Sequence, residues 1–289
     1  MISPSAGAGR SATFAGSGKY VLKVIFALVM TGAPILAGTV YAEEIPVRHP
    51  EGLVHGFLSL STMEGKVLAH GDLIQVSRGN QVTLRLRFDF KDGSVQDETT
   101  VFSQNGSFRV LNYHLIQKGP SFPHPIEVTA SCTTGDVTVR FKDDNGNEKT
   151  ENEHLDLPPD LANAIVPTLL KNVLPDSPRT TLSFLGTTPK PRLVKLVITP
   201  EGEDSFSIAG SSRKAIRYLV KVDIGGIAGV VAPLIGKKPA DTHVWILSGE
   251  APAFVKSEGP LYVGGPILRI ELVSPVWPKS SGAGTKSER

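Results

Sequence analysis

A strict two-residue period constrains this chain more than any other feature. Across Val82–Phe90 (VTLRLRFDF), five apolar side chains alternate with four polar ones. Successive strand side chains point to opposite faces, so such a run is a strand with one buried and one wet face, as in antiparallel sheets. Asp92-Gly93 then supplies a tight turn, and strands are expected at Val95–Phe102 and Phe108–Ile116, separated by Asn105-Gly106. Val137–Phe141 repeats the alternation and runs into a third hairpin at Asp143–Asn147. Further strand-like runs lie at 53–60, 67–76, 181–185, 194–198, 206–208, 218–224, 244–247 and 268–273. With 29 Gly and 22 Pro among 289 residues, turn formers are in excess of ordinary usage, which fits many short strands. No strand–helix–strand alternation appears, which disfavours a nucleotide-binding α/β sheet. The expected fold is mainly β, a large antiparallel meander forming a half-barrel.

One helix is expected, at about 159–173, packed on or in the concave face. Pro158-Pro159-Asp160 leads into it, Pro175 stops it, and Pro167 should kink it. Leu161, Ile165 and Leu169 form an apolar stripe at helical spacing, which Val166 and its neighbours widen. A second apolar run, Ile224–Gly236, carries no charge and includes Val230 and Leu234. It is no phosphate loop, because Lys238 stands where Ser or Thr is needed and Pro233 lacks an amide.

The N-terminus reads as a secretory signal. Lys19 and Lys23 precede the apolar run Val24–Met30, and Val40-Tyr41-Ala42 presents small residues for cleavage between Ala42 and Glu43. The organisation expected is a signal peptide at 1–42, one β-rich domain at 43–278 and a solvated, disordered tail at 279–289, in a periplasmic or secreted protein. Residues 43–289 carry 27 basic and 28 acidic side chains, so no basic footprint for nucleic acid remains.

Catalytic and metal-binding patterns are not found. The seven histidines show no zinc-ligand spacing, and Gly-x-Ser-x-Gly is missing. Asp143–Gly146 lacks the register of a calcium loop. Cys132 has no partner for a disulfide, and its strand-like setting makes it a small buried hydrophobe. Glu98, Glu151 and Glu153 fit solvated strand faces. No cofactor or metal is expected.

Five strings carry a resemblance: DGSVQDETT at 92–100, QKGPSFP at 117–123, LPPDLAN at 157–163, PKPRLVK at 189–195 and EGPLY at 258–262. They resemble those of an uncharacterised family of exported bacterial proteins. That family is similar, more loosely, to the periplasmic lipoprotein-carrier (LolA-like) class. The resemblance implies an antiparallel half-barrel that wraps a helix and holds acyl chains, and it brings no functional residue with it.

The function expected is therefore non-catalytic binding of a lipid or other apolar molecule in the concave face, with transient membrane contact. Leu161, Ile165, Val166, Leu169, Val230 and Leu234 are the residues expected to line the cavity. Two other classes compete: a hydrolase with a dispersed site around His114 and His243, and an envelope scaffold.

Overall fold

Alternation and tight turns together build a single sheet of 14 strands in the computed structural model, and every neighbouring pair is antiparallel. The structure describes residues 44–273 except 144, 175, 209–210 and 224–238, all within one unit, Tyr41–Arg289. The first half comprises β1 (Val54–Thr62), β2 (Val67–Arg78), β3 (Gln81–Phe90), β4 (Val95–Asn105), β5 (Ser107–Lys118), β6 (Ile126–Ser131), β7 (Asp136–Lys142) and β8 (Glu148–His154). The second comprises β9 (Thr180–Gly186), β10 (Arg192–Ile208), β11 (Ser211–Asp223), β12 (Thr242–Leu247), β13 (Phe254–Gly259) and β14 (Leu268–Val273).

Each half is a plain meander, and β1 joins them by pairing with β14, placing Leu58 opposite Leu272 and Leu60 opposite Ile270. The two sheet edges are therefore β8 and β9, consecutive in sequence, and residues 155–179 carry the chain between them. Register shifts at Leu60/Ser61, Val101/Phe102, Pro200/Gly202 and Trp245/Ile246 mark bulges, which bend strands and raise their twist. The result is an open, barrel-like sheet with a concave face.

Two apolar clusters occupy that face. The larger gathers Val82, Phe102, Tyr113 and Val128 from one half, Leu182, Ile198, Tyr218 and Val244 from the other, and Leu161, Ile165 and Leu169 from the crossover. The smaller gathers Leu58, Leu60, Phe88, Phe90 and Leu268, with Phe122 and Tyr262 packed edge-on from loops. Outward positions on β3–β7 and β10–β11 carry charge ladders instead, while Phe57, Ile74 and Val273 are exposed at the β2–β1–β14 seam. Arg85 and Arg87 pair with Asp97, His114 and Arg140 with Glu127, and Arg217 with Glu201 and Asp204. Among the described residues no helix is long and apolar enough to cross a membrane.

The crossover differs from the expected helix over 159–173. Only α1 (Val166–Leu170) is helical, five residues long, with Pro167 in its first turn. A proline ring collides with the carbonyl four residues earlier in a continuing helix, so Pro167 fits only near a start. Before it, Ala164 adopts φ 61°, and Leu161 forms a parallel bridge with Ser183 on the β9 edge. The stripe Leu161, Ile165, Leu169 is buried nonetheless, by an extended segment and one helical turn. Cys132 is a free, buried thiol, and burial pushes its pKa up to about 11. The Asp143–Asn147 turn is a hairpin whose Asp143 Oδ1 accepts from the amides of Asn145 and Asn147.

Candidate functional site

The crossover is clasped to the sheet at both ends. At its start, Asn163 donates from Nδ2 to the Leu185 carbonyl (2.9 Å) and accepts at Oδ1 from the Leu185 amide (2.8 Å). Lys195 reaches the buried carboxylate of Asp160 (3.3 Å) and the Ser183 hydroxyl (2.8 Å). At its end, Asn172 Oδ1 accepts from the amides of Arg48 (2.8 Å) and His49 (2.7 Å). Lys171 pairs with the buried carboxylate of Glu51, which also accepts from Gln75 (2.8 Å). The residues following the expected cleavage site are thus part of the same clasp, with Ile45 in the core.

Leu161, Ile165 and Leu169 retain 2%, 0% and 3% exposure, so these three leave no face to a ligand in this conformation. Val166 is half-buried. Val230 and Leu234 lie outside the described residues, as do Ala42 and Glu43. His114 and His243 are not brought together; each ring contacts a separate carboxylate, Glu127 (3.0 Å) and Glu201 (3.4 Å).

Inward-facing residues that keep accessible surface lie elsewhere, on a strip between the two clusters. Reading across the ladders, Glu98 of β4 stands opposite Leu86 of β3, Leu86 opposite Leu73 of β2, and Leu73 opposite Gly56 of β1. These four all keep accessible surface, although their inward neighbours Leu84, Phe88 and Leu115 are buried. A side chain added at Gly56 would meet Leu73 and Leu272 at 3.5 Å, which places Leu272, 44% exposed, at the outer end of the strip. Leu73 packs against both clusters, and so does Phe254 of β13. The strip is an apolar floor with one carboxyl group at its deep end.

That carboxyl group is the feature sequence reasoning missed. Glu98 lies deep in the fold, and burial raises its pKa above 4.5, partly offset by a hydrogen bond from the Tyr113 hydroxyl (2.9 Å). Burial and the neighbouring Glu98 push Tyr113 well above its ordinary value, while the Asn163 side chain acts the other way. Among the described residues Tyr113 is the only group that bonds Glu98 or shifts it electrostatically, and Oε2 has no partner. A raised carboxyl pKa means the folded state disfavours the charged form, so stability declines as pH rises from the ordinary value through the folded one. Glu98→Gln keeps the acceptor for Tyr113 and removes the titration. Above the folded pKa the variant is expected to be more stable than wild type, by about 1.4 kcal/mol for each tenfold rise in the carboxyl's proton affinity on folding. Below pH 4.5 the gain should vanish. Thermal melts of both proteins at about pH 4 and about pH 8 check this, and an equal difference at both would contradict it.

A surface depression of about 590 Å³ lies between the β10–β11 hairpin and the β12–β13 turn, lined by Ser205, Arg213, Lys214 and Glu250. All four are exposed, so its chemistry is that of open surface. Among the described residues no cluster of His, Cys, Asp or Glu could hold a metal ion.

The sequence matches no family model and no curated protein. Among solved structures, the chain is similar to a β-barrel-like protein of a domain of unknown function, DUF1849, from Brucella abortus. The likeness has a TM-score of 0.46 at 10% identity, covering 80% of this chain and 100% of that one.

Proposed function

We propose that the protein binds an apolar or amphipathic molecule on the concave face of its open β-barrel, without catalysis, outside the cytoplasm. The observation that carries this reading is the accessible apolar strip Leu86–Leu73–Gly56–Leu272, recessed between two packed cores. Leucine surface left uncovered inside a fold is stabilised by any apolar partner that displaces water from it, at roughly 25 cal/mol per Å². The resemblance of the five strings to an uncharacterised exported family, itself loosely similar in architecture to the lipoprotein-carrier class, points the same way, and the signal pattern ending at Ala42 supports export.

The experiment uses protein recovered from a Gram-negative host. An uncharged, environment-sensitive fluorescent probe is expected to bind the wild type, and Gly56→Leu, which fills the floor beside Leu73 and Leu272, to weaken binding about tenfold (about 1.4 kcal/mol). Intact mass should begin at Glu43, and Ala42→Phe should block processing because the cleavage pocket admits small side chains. Wild-type protein that neither binds the probe nor yields lipid on organic extraction overturns the binding reading. Residues 1–42 retained on the wild type overturn export by cleavage.

A further inference from the structure

The deep end of the strip carries chemistry that a purely apolar ligand does not use. Glu98 Oε2 has no hydrogen-bond partner among the described residues. Two residues along the same inward face of β4, Thr100 is 1% exposed and its Oγ1 has no partner either. Buried polar atoms are ordinarily hydrogen-bonded, and Thr100 Oγ1 is one that is not; Glu98 Oε2 keeps accessible surface beside it, so one face offers two spare acceptors to an incoming donor. Along a strand, positions i and i+2 are roughly 7 Å apart, a span that one small donor group between them can bridge. In register, Glu98 is flanked by Leu86 and Leu115, and no lysine, arginine or histidine among the described residues acts on its charge.

We propose that the strip takes an alkyl primary amine, its ammonium group on Glu98 Oε2 and Thr100 Oγ1 and its chain along Leu86, Leu73, Gly56 and Leu272. This rests on the binding reading above and names its ligand class. An ammonium group has three hydrogens, no acceptor and one positive charge, so it satisfies both oxygens and neutralises a carboxylate that has no counter-ion. An alkyl alcohol supplies one hydrogen and no charge. A fatty acid would set a second carboxylate against Glu98. From β4 to β1 there are three strand spacings, about 14 Å, the length of a medium alkyl chain.

Decylamine, decanol and decanoate, each titrated below its aggregation concentration into the full exported chain at neutral pH, separate these cases by displacement of the fluorescent probe. Decylamine is expected to bind at least tenfold tighter than decanol, and decanoate more weakly than either. Glu98→Gln, checked for folding by its melting curve, should bring amine and alcohol within about threefold of each other, since only the charge is lost. Equal affinities for amine and alcohol in the wild type, or an amine preference that survives Glu98→Gln, overturn the assignment of the head group and leave the apolar site standing. Failure of all three compounds to displace the probe overturns both. If the variant does not fold, the wild-type comparison decides.

Discussion

Ile165→Asp is expected to abolish cooperative folding. Ile165 has 0% exposure and sits in the larger cluster with Leu161, Leu169 and side chains from both halves of the sheet. The substitution loses the burial of a large aliphatic group and sets an unpaired carboxylate in hydrocarbon, a cost of several kcal/mol even after protonation. A domain stable by about 5–15 kcal/mol has little margin against that. A crossover free to swing into water could escape the penalty, but this one is held by Asn163 at its start and by Lys171 and Asn172 at its end. Releasing it breaks these bonds and uncovers the cluster. Far-UV circular dichroism with thermal melting is the measurement. A variant that keeps the wild-type melting transition and loses only probe binding would show the crossover to be a movable lid.

Strands are legible in the sequence where one face is wet and the turn is short. Val82–Phe90 is β3 from one residue before the alternation begins to its last phenylalanine, and the turns at Asp92-Gly93 and Asn105-Gly106 join β3, β4 and β5. β8 (EKTENEH) has no apolar residue to alternate, since its side chains are almost all exposed at the sheet edge, and no pattern announces it. The runs at 194–198 and 206–208 are one strand, β10, because the Pro200/Gly202 bulge interrupts the period without ending the pairing. The expected helix is too long for a different reason, since only Val166–Leu170 of 159–173 is helical. The 3.6-residue spacing of Leu161, Ile165 and Leu169 reports a buried face, but not the local conformation that buries it, which the β9 edge decides.

Glu98 escapes a strand-by-strand reading because β4 carries its apolar residues in the unexpected phase. Gln96, Glu98 and Thr100 face inward with Phe102, while Val95 and Val101 share the other face with Asp97. Hydropathy alone turns this strand over. Pairing resolves it: folding the hairpin about Asp92-Gly93 sets Glu98 opposite Leu86, which the strict period of β3 marks as inward. Cross-strand register carries what single-strand alternation cannot. Why such a strand keeps three polar residues on its buried face is answered in two cases: Gln96 bonds Gln117, and Glu98 bonds Tyr113. Thr100 is the exception, and it lies beside the proposed ammonium site.

The second large effect is expected at Asn163. Residues 160–163 run along the β9 edge, with the Ala162 amide donating to the Ser183 carbonyl (2.9 Å) and the Ser183 amide to the Asp160 carbonyl (3.2 Å). At Ala164 the backbone turns away, and the Asn163 side chain supplies the next donor and acceptor of the ladder to Leu185. Asn163→Ala strands the Leu185 amide and carbonyl in a site of 0% exposure. At about 1–3 kcal/mol for each of the two stranded groups, the loss should total about 2–6 kcal/mol. Asn163→Asp is nearly the same size and separates lost packing from lost hydrogen bonding. Its ionised carboxylate can still accept from the Leu185 amide but faces the Leu185 carbonyl with a second acceptor, so at neutral pH it should be at least as damaging as alanine. Once protonated, the carboxyl can donate to that carbonyl, and burial raises the pH at which this happens. The gap between Asn163→Asp and wild type should therefore narrow as pH falls, while the gap for Asn163→Ala stays nearly constant. Urea melts across that range measure both gaps, and parallel curves for the two variants would mean that the side-chain clasp does not hold the crossover to β9.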